Sequence, residues 1–156
     1  MFTTIFIFLL TNIAILLYFR RNLLNYCTYP DYDVGEPGSL IKRLIKKDLK
    51  RRYDLALGVE NFLKKVEKAE TLTPFEDSDE IIYLANDCYF EMRIPKTRTG
   101  GVVRIYFIKH PNDSKLLVLL DGELKKGKEL KIKDRVKKRK FNFLQKVARG
   151  ECKDAI

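Results

Sequence analysis

The chain has 156 residues, enough for one domain or one domain with an appended segment, and its 46% hydrophobic and 33% charged residues exclude a wholly disordered protein. The formal net charge of +10 is unevenly spread: residues 1–124 carry 18 Lys/Arg against 17 Asp/Glu, whereas residues 125–149 carry 12 against only Glu129 and Asp134. Clustered cations of this kind bind polyanions by releasing condensed counterions, so an anionic partner is expected; the competing reading is a solvated helix face.

Residues 1–19 contain no charge and run almost continuously apolar, from Ile5 through Leu10 and again from Ile13 through Leu17, before Arg20 and Arg21 close the run. At about 1.5 Å of rise per residue this length crosses a bilayer as a helix. The two arginines would hold the rest of the chain on the cytoplasmic side. A cleaved signal peptide fits poorly, because no basic residue precedes the run and no small-residue cleavage pattern comes after it. A buried strand and a miscalled gene start stay open, so residues 1–21 are an apolar N-terminal segment with three readings. The expected localisation is cytoplasmic, with a tether to the inner face of the cell membrane through residues 1–19 if the membrane reading holds.

Residues 22–38 are turn-rich and aromatic and read as a linker or one poorly marked strand. Ser39, just after Pro37-Gly38, is placed to cap a helix. Leu40, Ile41, Leu44, Ile45 and Leu49 fall at helical spacing, and Val59, Phe62, Leu63 and Val66 form a second stripe to about Ala69. Gly58 marks the expected break between them, and Pro74 the expected end. Strands are expected next at Ile81–Leu84, Tyr89–Ile94, Val102–Ile108 and Leu116–Leu120. Alternation puts Tyr89, Glu91 and Arg93 on one face and Phe90, Met92 and Ile94 on the other; Arg104 and Tyr106 likewise oppose Val103, Ile105 and Phe107. A helix from about Asp134 to Ala148 is expected in the basic stretch. The fold class is α+β: an N-terminal helical pair packed on one face of a three- or four-stranded antiparallel sheet, then a basic C-terminal helix.

Cys27, Cys88 and Cys152 are odd in number and lack Cys-x-x-Cys spacing, so neither a disulfide framework nor a zinc site is implied, and a reducing compartment is the natural reading. His110 precedes Pro111 and reads as a turn residue. No metal or other cofactor is expected.

One ordered set of segments resembles a known pattern. It consists of Tyr89-Phe90-Glu91-Met92-Arg93-Ile94, Val103-Arg104-Ile105-Tyr106-Phe107-Ile108, Leu117-Val118-Leu119-Leu120-Asp121-Gly122 and Leu124-Lys125-Lys126. The set is similar to the RelE/ParE/HigB toxin superfamily, and most of all to its HigB-like branch, over residues 39–149, leaving residues 150–156 as a tail. That resemblance implies an endoribonuclease that cleaves mRNA, generally at the ribosome, and is silenced by a cognate antitoxin protein. It also implies an opening β-strand, from which residues 1–38 depart. A sister branch poisons DNA gyrase without cutting RNA, so a non-catalytic gyrase- or nucleic-acid-binding module is the alternative. A third reading, a membrane-anchored basic protein, leaves the arginine-bearing strands unexplained.

RNA is cut without a metal when its 2′-hydroxyl attacks the adjacent phosphorus. The protein must align that attack, stabilise the added charge and protonate the leaving oxygen. Arg104 is the expected phosphate clamp, with Arg93 on the neighbouring strand beside it. Lys125 and Lys126 would hold phosphates or donate the proton, and Tyr106 would stack on a base or relay a proton. Lys128, Lys131, Lys133, Arg135, Lys137, Lys138 and Arg139 are the expected RNA-binding cations. Each has a plain alternative: a Glu91 ion pair with Arg93 or Arg104, a core position for Tyr106, solvation for the lysines. The RelE branch carries lysines on the strand that here bears Tyr89 and Glu91, and they are absent from this sequence, so the general acid and base stay unassigned.

Overall fold

A computed structural model describes residues 23–30, 39–95, 101–125 and 132–151. The alternating segments pair as an antiparallel meander of β2 (Ile81–Leu84), β3 (Tyr89–Ile94), β4 (Val102–His110) and β5 (Asp113–Lys125). A further strand, β1 (Asn25–Thr28), lies parallel to β5, with Asn25 opposite Leu116 and Thr28 opposite Leu119. The sheet order is β1-β5-β4-β3-β2. The α+β class therefore holds, but the expected three or four antiparallel strands become five in a mixed sheet. Of the two readings for residues 22–38, Asn25–Thr28 is a strand. Four residues reading Asn-Tyr-Cys-Thr are too short to show a period, and their partner lies far along the chain.

The first helix, α1 (Ser39–Arg43), continues into a single π-helical turn, Leu44–Asp48, closed where the Leu49 N–H donates to the Leu44 carbonyl at 3.1 Å. Then come α2 (Tyr53–Val66) and a short α3 (Thr73–Asp77). The break between the two apolar stripes falls at residues 49–52 and not at Gly58, which lies inside α2. Asp54 in the first turn of α2 suits that start, because a carboxylate is stabilised beside the unpaired N–H groups of a helix N-terminus. Pro74 does not end the helical stretch; it opens α3, where its missing N–H would have had no partner in any case.

One face of the sheet, with Met92, Ile94, Val103, Ile105, Phe107, Leu117 and Leu119, packs on Leu40, Ile41, Leu44, Val59, Phe62 and Leu63 of the N-terminal helices. The opposite face, with Tyr89, Tyr106, Ile108, Leu116, Val118 and Leu120, packs on Val136 and Phe143 of α4 (Lys133–Ala148). Helices thus cover both faces, where covering on one face was expected. Val136 and Phe143 stand two helical turns apart and share a face, but among so many cations that stripe is too thin to read from sequence. The long strand β5 is apolar through Leu120 because both its faces are covered.

His110 is the last residue of β4, not a turn residue. Its ring is buried edge-on to Phe143 at 5.6 Å, and its Nδ1 accepts the Asn112 N–H at 3.2 Å. Among the described residues no helix is long and apolar enough to cross a membrane. The segment of residues 1–19 lies outside the described residues, as do Lys126, Lys128 and Lys131.

Candidate functional site

β3 finishes, β4 begins and β5 finishes at one end of the sheet. There the register sets Arg93 opposite Arg104 and Arg104 opposite Glu123, while one row deeper Glu91 stands opposite Tyr106. Alternation puts these side chains on the α4 side, the face that also carries Tyr89. Two arginines directly opposite one another repel. Glu91 resolves the conflict: only 1% exposed, it accepts from Arg93 Nε at 2.7 Å and from Arg104 Nη1 at 2.9 Å. The ion pair anticipated between Glu91 and one arginine thus involves both. Arg104 Nε is buried and has no hydrogen-bond partner among the described residues.

Tyr106 is buried edge-on against Tyr89, with ring centroids 5.7 Å apart, and its hydroxyl donates to Glu123 Oε1 at 3.0 Å. Burial, with Glu91 and Glu123 nearby, pushes its phenol well above the ordinary range. It therefore serves as a proton-bearing donor and not as a base. Lys125 lies two residues beyond Glu123 on the same strand and is half-buried. Burial first, and then Arg104, lower its pKa from the ordinary lysine value, against the opposing pull of Glu91 and Glu123. Arg93, Arg104, Tyr106 and Lys125 are thus brought together.

A second carboxylate, Asp121, is fully buried on β5 and gathers three arginines from two helices: Arg43 Nη2 at 3.1 Å, Arg139 Nη1 at 3.0 Å, and Arg135 through Nε. Arg139 also donates to the Leu120 carbonyl at 2.7 Å. Between these elements lies a cleft of about 410 Å³, walled by Arg43, Lys47, Asp48 and Arg135 and lined along β5 by Gly122, Glu123 and Leu124. Gly122 permits the close approach of α1's π-turn. A Cβ there would stand 3.0 Å from Leu44 Cδ2 and 3.3 Å from the Arg104 carbonyl oxygen. Gly122→Val is expected to cost about 1–3 kcal/mol by overpacking, read from the midpoint of urea unfolding.

The basic helix is tied down more than its composition suggests. Lys133 and Lys137 both pair with Asp87 in the β2–β3 turn, at 3.0 and 2.8 Å, and Lys140 donates to the Asp87 carbonyl at 2.9 Å. Of the described RNA-binding candidates, Lys133, Arg135, Lys137 and Arg139 all hold α4 against the sheet, whereas Lys138 is exposed and takes no such part. Hydrogen bonds from Lys137 and Lys133 hold the Asp87 carboxyl below the usual carboxylate range. A depressed carboxyl stabilises the fold above its unfolded value, about pH 4, and that contribution fades as pH falls through the lower folded value. Asp87→Asn is therefore expected to lower stability at pH 7 and to leave a flatter loss of stability in acid, checked by urea unfolding at a series of pH values.

Glu123, Asp121 and Arg43 are site residues that sequence reasoning did not single out. Asp121 and Glu123 carry a readable signal, since with Lys125 they continue a period-two spacing past Leu120. Arg43 gave none, being one of many cations on its helix. Comparison of the chain with protein families, with curated proteins and with solved structures finds no match in any of the three.

Proposed function

We propose that this chain is an endoribonuclease toxin of the RelE/HigB kind, cleaving mRNA by attack of the RNA's own 2′-hydroxyl and held silent by an antitoxin. The carrying observation is that Arg93, Arg104, Tyr106 and Lys125 meet at one end of the sheet, with Glu91 bracing both arginines. Two guanidiniums and an ammonium at one spot suit a sugar–phosphate linkage, whose transition state carries extra negative charge on its oxygens. Order along the described residues supports the same reading: a strand at Asn25–Thr28, then helices, an antiparallel meander and a basic helix.

The basic helix has a divided role in this reading. Its paired cations set the position of α4, leaving Lys138 and the cleft cation Lys47 to attract the RNA backbone. Inducing the chain in cells is expected to arrest growth and fragment translated mRNA. Arrest with intact transcripts would instead favour the gyrase-directed alternative.

A further inference from the structure

Among the described residues, the ion pairs at the sheet end leave two charged groups over. Glu91 is taken by Arg93 and Arg104, and Asp121 by Arg43, Arg135 and Arg139. Among the described residues, Glu123 accepts the Tyr106 hydroxyl but forms no ion pair, and Lys125 forms none. Both are half-buried, stand on the same face of β5, and have Arg104 beside them. A carboxylate and an ammonium that stand beside a phosphate clamp, in no ion pair among the described residues, are the two groups that a proton-transfer reaction needs.

We propose that Glu123 is the general base and Lys125 the general acid of RNA cleavage, an inference that rests on the ribonuclease reading above. Glu123 takes the proton of the 2′-hydroxyl. The O2′ electron pair then attacks phosphorus while the bond from phosphorus to O5′ breaks, and the Lys125 ammonium gives its proton to the departing O5′. The products are a 2′,3′-cyclic phosphate and a 5′-hydroxyl end. Water then carries the proton from the Glu123 carboxyl to the Lys125 amine, which resets the pair. No oxidant, reductant or metal enters the balance.

The neighbours divide the remaining work. Arg104 clamps the non-bridging oxygens, Arg93 supports it, and the Tyr106 hydroxyl orients Glu123 through one of its two oxygens. Glu91 cannot be the base, because it is buried with both oxygens bound to guanidiniums. Glu91 and Arg93 face the pair from β3, Arg104 and Tyr106 from β4, Arg135 from α4, and Arg43, Lys47 and Asp48 from α1 and its π-turn. Burial, and then Arg104, lower the affinity of Lys125 for its proton, the direction in which a lysine becomes a better proton donor.

A substrate with sulfur in place of the bridging 5′-oxygen separates the roles, because a thiolate leaves without needing a proton. The full-length protein is assayed on translating ribosomes programmed with RNA carrying either linkage at the cleavage site. On ordinary RNA, Glu123→Gln and Lys125→Met are each expected to slow cleavage about 10²–10⁴-fold, with thermal unfolding unchanged. On the sulfur-linked RNA, Lys125→Met should recover to near the wild-type rate while Glu123→Gln stays slow. Equal loss by Lys125→Met on both substrates would overturn its role as acid. A wild-type rate in Glu123→Gln would overturn the role of base, with the ribonuclease reading left standing. A wild-type chain that cuts neither RNA would instead remove that reading and this pair with it.

Discussion

Replacing Arg104 with alanine is expected to slow RNA cleavage about 10²–10³-fold, the scale on which losing one preorganised donor to a transition-state oxyanion acts. The expectation rests on how the side chain is held. Glu91 takes one nitrogen at 2.9 Å and the strand pairing fixes the backbone. Little reorganisation is then needed when charge develops on the substrate. Arg104→Lys keeps the charge but loses the two-pronged geometry, so most of the loss should remain. The measurement is the cleavage rate at equal protein concentration. A companion unfolding curve separates chemistry from stability, since the variant also strips Glu91 of one partner.

Asp121→Ala carries a large expected effect on the fold, about 1–3 kcal/mol, because three arginines lose a buried hydrogen-bonded acceptor, while Arg43 and Arg135, nearly half exposed, keep their contact with water. Here three guanidiniums would be left facing one another at the end of β5, and two of them anchor α4. The loss should appear in urea unfolding, and hydrogen exchange should show α4 opening before the meander does. Arg43→Met is the milder comparison. It leaves Asp121 paired with Arg135 and Arg139, so only a fraction of that cost is expected.

The meander was legible in the sequence because its charges fall on alternate positions. Glu91, Arg93 and Arg104 mark one face of β3 and β4 against Met92, Ile94, Val103 and Ile105 on the other, and the structure keeps those faces. The strand expected from the apolar run ends at Leu120, where that run stops. β5 continues as strand to Lys125 because Arg43, Arg135 and Arg139 neutralise Asp121, and because Gly122 lets Leu44 come close. Those partners come from α1 and α4, on the two faces of the sheet, and local pattern holds no trace of them.

The same reason limited the reading of the site. Arg93 and Arg104 were visible as a cross-strand pair, and Lys125 as a cation just past the apolar strand. Glu123 became visible only with β5 extended, since then it stands opposite Arg104 and accepts from Tyr106. The basic tail was legible as total charge, but not as the set of contacts to Asp87 and Asp121 that spends much of it inside the molecule. Composition counts charges, and only the fold pairs them.

The most direct test is to add the purified chain to a defined translation mixture and analyse the mRNA ends that form. New breaks are expected, bearing a 2′,3′-cyclic phosphate on one side and a 5′-hydroxyl on the other, and forming about 10²–10³-fold more slowly with Arg104→Ala. Full-length mRNA after incubation with folded wild-type protein, or breaks carrying 5′-phosphates, would contradict the ribonuclease mechanism.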